Sequence, residues 1–399
     1  MTTLLIARKS LKQHALSTAV TALSVALAAG LLMSVWVVKE QSRDLFTTMT
    51  GGYDAVLGAR GSKLQLVLNS IFHLEASPGN IPYSALETLR RNRRVEAAIP
   101  IAVGDNYLGY RLVGTELQMF EHEYAEGREF ELAEGTYFDE QRKQAVLGSF
   151  AARKLGLKLA DKFNPYHGLN YDVNKRHGDV YVVKGILKPT NTPADRVIWI
   201  PLAGLQTMEG HAKTAMNDIS GALVKFRSPE AGIMMDNLYN KQGDRLTLAW
   251  PIGAVMAQLF DKIGWFDKVL GLVAVLVAVV AAGSILASIY NSMNERRRDI
   301  AIMRALGARR TTIFGVVLLE SSAIAAIGSL IGFVFYAIIM SVVASVIREQ
   351  TGIVLEPFKG NMIMVAAPVG LILLGVLAGI APAVKAYRTP VAEFISPVS

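Results

Sequence analysis

The chain has 399 residues, of which 52% are hydrophobic and only 19% are charged, a balance too apolar for an ordinary soluble protein. It contains no cysteine, which excludes a disulfide scaffold, thiolate metal sites and cysteine catalysis. The net charge of +8 is concentrated beside apolar runs, which disfavours nucleic-acid binding and is typical of the clusters that set membrane orientation.

The first 38 residues combine a basic start with an uncharged apolar run. Residues 1–13 have the spacing of a short amphipathic helix on the inner membrane surface, the alternative being a frayed terminus. Residues 14–38 exceed the ~20 residues needed to cross the hydrocarbon core and predict transmembrane helix 1. Ala26-Leu27-Ala28 resembles a signal-peptide cleavage site, but the apolar run continues beyond it, which favours an uncleaved anchor.

A polar insert of mixed pattern occupies residues 39–264, enough for one large domain or two small ones. Apolar residues recur at helical spacing in residues 65–74, 83–94 and 148–157. They alternate as in strands in residues 106–113, 180–187 and 197–200. We therefore predict an α+β domain outside the membrane. Its charge- and glycine-rich middle, at about 114–178, is predicted to form a second lobe.

Three more apolar runs follow the insert. They predict transmembrane helices 2, 3 and 4 at residues 265–290, 311–347 and 361–384. Helical spacing at 255–266 suggests that helix 2 projects beyond the lipid. A short link (348–360) joins helices 3 and 4, and a basic tail (385–399) follows helix 4. With four helices both termini share one side, which the flanking arginines and lysines assign to the cytoplasm. The insert and the link then lie outside, in the periplasm of a Gram-negative cell.

The loop between helices 2 and 3, residues 291–310, holds six arginines and two acidic residues. Residues 295–306 have the spacing of a helix of about three turns, which Gly307 is placed to end in the left-handed conformation. An apolar ridge with an arginine rim is suited to a groove on a partner protein. The alternative, that the arginines only hold the loop near anionic lipid, explains neither the ridge nor the glycine. The candidate contact residues are Arg297, Asp299, Ile300, Met303, Arg304, Leu306 and Gly307.

Two further features lie inside the apolar runs. Glu320 is an ionisable residue well within helix 3. It is either a polar link between helices or, in the interpretation we favour here, a side chain that snorkels to the nearby interface. The pairs Gly328/Gly332 and Gly375/Gly379 have the small-xxx-small spacing that lets helices approach closely. Either pair is able to face a neighbour in the same chain or in a second copy.

No catalytic, cofactor or metal constellation stands out. The six histidines, at positions 14, 73, 122, 167, 177 and 211, show no metal-ligand spacing, and Glu121-His122-Glu123 lacks the second histidine of a zinc-protease motif. There is no Gly-x-Ser-x-Gly, and Gly58–Lys63 lacks the spacing of a phosphate-binding loop. We therefore expect no enzyme activity, no cofactor and no metal in this chain.

The loop residues resemble a known family. The segment Glu295-Arg-Arg-Arg-Asp299-Ile-Ala-Ile-Met-Arg304-Ala-Leu-Gly307 is similar to the coupling motif of the MacB/LolC/FtsX-type ABC transporter permeases, also called type VII or mechanotransmission ABC proteins. Asp299 stands where the family usually has glutamate, and Glu320 matches a glutamate typical of its third helix. In the insert, Glu126-Gly127-Arg128 and Val180–Leu187 resemble its domain pattern, with Ala160 in place of a usual glycine. The match extends over nearly the whole chain.

This resemblance implies an α-helical integral membrane protein with four transmembrane helices and a large α+β extracytoplasmic domain, MacB-like, between helices 1 and 2. It implies a homodimer or pseudodimer of permeases with two ABC ATPase subunits. ATP and Mg²⁺ would be bound by those subunits, since this chain carries no nucleotide site. The coupling helices would dock on the ATPases, and helix 2 would relay their closure to the outer domain. Membrane lipid and a periplasmic adaptor, lipoprotein or hydrolase are the other implied partners, and nucleic acid is not.

Two functions fit these expectations. The first is a permease subunit in the inner membrane that uses ATP-driven motion of its periplasmic domain to move lipid, lipoprotein or peptide cargo. The second is an FtsX-like regulatory scaffold that activates a periplasmic cell-wall hydrolase without transport. The size of the insert favours the first.

Overall fold

The computed structural model describes residues 3–210 and 217–388, so His211 and residues 389–399 of the predicted tail lie outside the described residues. The chain divides into two compact units. The unit called here the membrane unit comprises the described residues of 1–41, 264–345 and 356–399. The unit called the insert domain comprises Ser42–Ile263 and, from a distant part of the chain, Val346–Leu355.

The elements are numbered in chain order within each class. The α-helices of the described residues are α1 (Thr3–Gln13), α2 (Ala15–Thr48), α3 (Lys63–Ser70), α4 (Tyr83–Arg90), α5 (Ser149–Leu155), α6 (Leu202–Gln206), α7 (Pro229–Asp236), α8 (Ile252–Lys262), α9 (Gly264–Glu295), α10 (Arg297–Ala305), α11 (Arg310–Thr351) and α12 (Ile363–Arg388). The strands are β1 (Ala55–Ala59), β2 (Ile81–Pro82), β3 (Val95–Tyr107), β4 (Tyr110–Thr115), β5 (Leu132–Gly135), β6 (Gln144–Leu147), β7 (Lys162–Phe163), β8 (Tyr166–His167), β9 (Tyr181–Leu187), β10 (Ile198–Pro201), β11 (Asp218–Ile219), β12 (Gly221–Phe226) and β13 (Leu246–Ala249).

Four of these helices, α2, α9, α11 and α12, are long and apolar enough to cross a membrane. They match the four predicted spans, and the predicted fold class is confirmed. In α9 the buried residues are Ala281, Ile285, Ile289 and Met293, which follow one another at four-residue intervals. The remaining apolar residues of this helix are exposed or half-buried, as expected of a helix with one packed face and one lipid face.

A mixed sheet forms the centre of the insert domain. Its strands run in the order β13-β1-β12-β3-β4-β10-β6-β9-β5, with β7 and β8 paired to β9 and β3. Adjacent strands are antiparallel except for β10 with β4 and β6 with β9. β3, with 13 residues, is long enough to pair with β12 along its first part and with β4 and β8 along its second.

Side chains on the two faces of the sheet enter two apolar cores. Ile198 and Ile200 belong to one core, and Trp199 between them belongs to the other. This alternation follows from the pleat of a strand, in which successive side chains point to opposite faces. All three side chains are fully buried. A strand buried on both faces is apolar at successive positions, and the predicted strand at residues 197–200 corresponds to β10.

Three sequence expectations for the insert domain need correction. Residues 106–113 are not one strand, because the chain turns back at Leu108 and Gly109, both with positive φ, between β3 and β4. The middle residues 114–178 do not form a separate lobe, since β6 pairs with both β10 and β9 in the common sheet. The helical spacing at 255–266 is split, because α8 ends at Lys262 before α9 begins.

The predicted link at 348–360 has a structural role that its sequence did not indicate. Ile353 is fully buried in the same core as Trp199, and Gly352 adopts a φ of +77° against the backbone of Thr192 and Pro193. The Arg196 guanidinium donates to the Gln350 carbonyl, and Lys154 pairs with Glu349. Residues 346–355 are therefore part of the insert domain rather than a free connection.

Candidate functional site

The predicted coupling segment folds as a short helix between α9 and α11. Arg296, with φ −103° and ψ 12°, interrupts the helix after Glu295, and α10 follows directly. At the other end Gly307 has a φ of +94°, the left-handed conformation in which glycine ends a helix at no steric cost. The predicted stop at Gly307 is thus confirmed, whereas the start of the helix is separated from α9 by a turn.

The apolar ridge predicted for α10 consists of Ile300, Met303 and Leu306. In the structure these residues do not lie on one exposed side of the helix. Ile300 and its neighbour Ala301 are buried within the membrane unit, and Met303 is half-buried. Leu306, at the end of the helix, is 83% exposed, and Ile302 is exposed as well. Ile300 is therefore not presented to a partner, and the apolar surface available for docking consists of Ile302 and Leu306.

The remaining candidate residues of the segment also differ in exposure. Asp299 is exposed in the first turn of α10, where its negative charge faces the positive end of the helix dipole. Arg297 and Arg304 are half-buried, and Arg297 donates to the side-chain carbonyl of Asn294 at 2.6 Å. Arg298 and Arg309 are exposed, so they contribute the accessible positive charge beside Ile302 and Leu306.

A buried ion pair connects α10 to α11. The Arg296 Nη1 donates to Glu320 Oε1 at 3.0 Å, and the two residues are only 9% and 3% exposed. The same Nη1 donates to the Ser10 hydroxyl of α1. Because this pair lies between the start of α10 and the third turn of α11, it holds α1, α10 and α11 together at one point.

The pair corrects the favoured interpretation of Glu320. A snorkelling carboxylate would have an exposed head, but this one is buried and bonded to a guanidinium. The other interpretation, a polar link between helices, describes the geometry. Arg296 and Ser10 were not among the sequence candidates, since six arginines lie within reach in the sequence and spacing does not select one of them.

The four glycines predicted to pack helices contact neighbours in the same chain. A Cβ added to Gly328 or Gly332 would lie 2.6 Å from Val25 Cβ or 2.5 Å from Ala29 Cβ, both on α2. On α12, a Cβ at Gly375 would lie 2.6 Å from Ala325 Cβ, and one at Gly379 would overlap Ser321, both on α11. The two patterns therefore bring α11 close to α2 and α12 close to α11 within one copy.

The arrangement of helices and inserted domain defines the class of protein. Four apolar helices carry a large mixed domain between the first and the second, and a short basic helix between the second and the third has one buried and one exposed side. Such an arrangement is that of a multi-pass membrane protein.

Two family models match the chain. The model for the MacB-like periplasmic core domain matches residues 16–232, and the model for the FtsX-like permease C-terminal region matches residues 271–391. The chain belongs to the MacB/FtsX-type ABC transporter permeases. The family resemblance drawn from the loop motif is thereby confirmed.

Two curated relatives match in sequence. An uncharacterized ABC transporter permease of Methanocaldococcus jannaschii is 30% identical over 124 residues, which is 29% of this chain and 31% of that protein. The macrolide export ATP-binding/permease protein MacB of Nitrobacter winogradskyi is 26% identical over 280 residues, 65% of this chain and 40% of that protein. This chain thus spans well under two thirds of either relative.

Two solved structures resemble part of the chain. The periplasmic region of MacB from Actinobacillus actinomycetemcomitans has 14% identity and a TM-score of 0.37, covering 53% of this chain and 94% of that one. The extracellular domain of the noncanonic ABC-type transporter YknZ from Gram-positive bacteria has 15% identity and a TM-score of 0.31, covering 49% and 99%. At these TM-scores neither similarity supports a further conclusion.

Proposed function

We propose that this permease works with a separate ABC ATPase and converts ATP hydrolysis into motion of its insert domain. That motion would move lipid, lipoprotein or peptide cargo outside the inner membrane. Two ATPase subunits, which bind ATP and Mg²⁺, and a second permease copy complete the proposed complex. Membership of the ABC transporter permease family supports an ATPase partner.

The observation that carries the proposal is the two-sided character of α10. Its inner side is anchored by buried Ile300 and by the Arg296–Glu320 pair, while Ile302 and Leu306 remain exposed on the other. Exposed apolar side chains rimmed by charge are typical of protein interfaces. An anchored helix with an apolar outer side is suited to receive a partner and to pass its movement on.

The route from α10 to the insert domain follows α11. The ion pair joins α10 to α11 at Glu320, and the last residues of α11 belong to the insert domain together with the buried Ile353. α11 therefore has residues in both units, as does α2, but of these two helices the ion pair with Arg296 is made by α11. We infer that a displacement of α10 is transmitted to the insert domain along α11.

Cross-linking tests the docking side, and the chain's lack of cysteine allows single cysteines to be read without background. Leu306→Cys, in the full chain purified with its ATPase from native membranes, is expected to cross-link to a protein that hydrolyses ATP. Glu126→Cys, exposed in the insert domain, is the matched control and is expected not to react with that protein. Equal cross-linking at both positions, or none at residue 306, would contradict the docking proposal.

Substitution of the exposed pair supplies a second test. The double change Ile302→Asp and Leu306→Asp places two charges in the proposed interface without disturbing a buried side chain. We expect the variant to fold and insert normally but to retain less than a tenth of the co-purified ATPase. Arg298→Ala removes an exposed side chain on the same helix and is expected to have a much smaller effect. Full retention of the ATPase by the double variant would show that this side of α10 is not the contact.

The proposed topology places both termini and α10 in the cytoplasm of the cell and the insert domain in the periplasm, with the chain in the inner membrane. It is supported by the basic residues around α10. A membrane-impermeant thiol reagent is expected to label Glu126→Cys in cells with an opened outer membrane and Leu306→Cys only after the inner membrane is lysed. The opposite pattern would invert the topology.

A further inference from the structure

A cluster of one aspartate and two histidines lies in the insert domain, apart from the helices described above. Asp105 is on β3 and His167 is on β8, and the antiparallel pairing sets these two residues opposite each other. His177 follows the short turn Val173–Lys175. Each of the three offers one ligand atom, and these atoms all lie within 4.8 Å of one another.

The distances suit a tetrahedral metal ion. His177 Nε2 lies 3.2 Å from Asp105 Oδ1, and His167 Nδ1 lies 3.3 Å from the same oxygen. Ligands bound at ~2.0–2.1 Å in a tetrahedron are separated by about 3.3–3.4 Å. Two of the three separations therefore match a tetrahedral site, and the two histidine nitrogens lie within 4.8 Å of each other.

The hydrogen bond on the far side of His177 orients it as a ligand. Its Nδ1 lies 2.7 Å from the Glu209 carbonyl oxygen, which only accepts, so Nδ1 carries a proton and donates it. In the neutral ring Nε2 then has a lone pair facing a carboxylate oxygen, an arrangement that a bound cation makes favourable. A backbone carbonyl on the second ring nitrogen is the usual support of a metal-binding histidine.

The burial of the three ligand side chains and their chemical types indicate which kind of metal ion the site would bind. Asp105 is fully buried and the His177 side chain is 6% exposed, whereas that of His167 is 53% exposed. The site thus has a buried floor and one side open to water, which leaves room for a fourth ligand. Two imidazoles and one carboxylate suit Zn²⁺ and its neighbours among the divalent transition metals, and not Mg²⁺ or Ca²⁺, which prefer oxygen ligands alone.

We propose that Asp105, His167 and His177 form a binding site for a divalent transition metal ion of the Zn²⁺ class, with water as the exchangeable fourth ligand. The ion would join β3, β8 and the segment after the 173–175 turn, which are distant in sequence. The spacing of the histidines did not indicate this site, because β-strand pairing rather than a local motif brings the ligands together.

Zinc titration of the full chain tests the proposal. The detergent-solubilised protein is stripped with a chelator and titrated with Zn²⁺ in competition with a chromophoric chelator. We expect one equivalent bound per chain with an affinity that His167→Gln and Asp105→Asn each weaken more than about tenfold, since even supporting residues of metal sites have effects of that size. Co²⁺ in place of Zn²⁺ is expected to give the visible absorption of a tetrahedral nitrogen and oxygen site in the wild type, and not in His167→Gln or Asp105→Asn.

His122→Gln is the matched control, because His122 belongs to the same domain but lies outside the cluster, stacked on Tyr53. Because His167 is exposed, its replacement by glutamine is expected to leave the fold intact, which circular dichroism verifies. Zinc binding that is equally strong in wild type and His167→Gln, or equally weakened by His122→Gln, would overturn the site. So would the absence of stoichiometric binding.

Discussion

The two ends of α11 are held by different kinds of contact. Near its N-terminus, Glu320 is buried against Arg296, with Ser10 as a third member. At its C-terminus, the helix leads into Gly352 and Ile353, which pack into the apolar core of the insert domain. The N-terminal end thus combines a buried charge pair with buried apolar neighbours such as Val316 and Val317, whereas the C-terminal end is anchored by the apolar side chain of Ile353.

This difference implies different responses to perturbation. A buried ion pair is close to neutral in net stability but costly to break on one side, because the remaining charge stays desolvated. An apolar anchor loses free energy in proportion to the atoms removed. We therefore expect removal of one charge at the first end to be the more disruptive change, and truncation of the apolar anchor at the second end to be the lesser one.

The largest effect is expected from Glu320→Ala. Arginine remains protonated at any accessible pH, so the variant leaves Arg296 as an unpaired buried charge. We expect the helix ends around it to lose about 3–5 kcal/mol of local stability, measured by hydrogen exchange at the α10 and α11 amides. Arg298→Ala, on the exposed side, is the control and is expected to change exchange little.

A double variant tests whether the loss of stability comes from the unpaired charge or from the loss of side-chain packing. Replacing both partners, as Glu320→Leu with Arg296→Leu, is expected to recover most of the lost protection because no charge is left buried. If the double variant is as unprotected as Glu320→Ala, the pair does not act through its charge and the comparison between the two ends fails.

The next effect is expected at the other end of α11. Ile353→Ala removes a fully buried side chain and is expected to cost about 2–5 kcal/mol in the insert domain. Val354→Ala, at the half-buried neighbouring position, is expected to cost clearly less. Exchange of the 346–355 amides and of β10 reports the loss. Unchanged protection in Ile353→Ala would remove this segment from the core.

A smaller effect is expected where α12 approaches α11. Gly375→Ala places a methyl group 2.6 Å from Ala325 Cβ, and overpacking of this kind costs about 1–3 kcal/mol. Gly370→Ala, on the same helix with nothing within 4 Å, is the control. The thermal stability of the purified chain is expected to fall only for Gly375→Ala. Equal effects at the two positions would argue against close packing at this end.

Acid is expected to weaken the apolar core that holds the C-terminal end of α11. Burial, with Arg111 and Arg196 nearby, lowers the pKa of His73 from 6.5 to about 3, and its ring packs edge-on against Trp199 in the core that also holds Ile353. The unfolded chain takes up a proton below pH 6.5 and the folded chain does not until about pH 3. Stability therefore falls as the pH drops through this window, by up to about 1.4 kcal/mol per unit.

Replacing the His73 side chain tests this dependence of stability on pH. Asparagine tolerates the positive φ of residue 73, so His73→Asn is expected to flatten the dependence of insert-domain exchange on pH between 6.5 and 5. His122→Asn, at a half-exposed histidine, is expected to leave that dependence in place. A steep dependence that persists in His73→Asn would assign the acid sensitivity to other groups.

Much of the fold was predictable because long apolar runs and alternating patterns act locally. The four membrane helices, β9, β10 and the stop at Gly307 follow from such patterns. Glu320 was also visible, as a charge in an apolar run. Its partner was not, because the choice of Arg296 among six arginines depends on the turn after α9 rather than on any periodicity.

The contacts that the sequence concealed are long-range. Ile353 looks like any residue of a short link, and only its position in the fold places it beside Trp199. Asp105 and His167 become neighbours through strand pairing. The ridge on α10 was assigned to one side by spacing alone, whereas packing of the membrane unit buries Ile300 and leaves Leu306 exposed.

The central claim is that α11 carries the state of an ATPase from α10 to the insert domain. The most direct measurement is hydrogen exchange of the wild-type permease in complex with its ATPase, with and without a non-hydrolysable ATP analogue. The account predicts that nucleotide changes the protection of α10 and also of residues 346–355. A change confined to α10, with residues 346–355 unaffected, would contradict it.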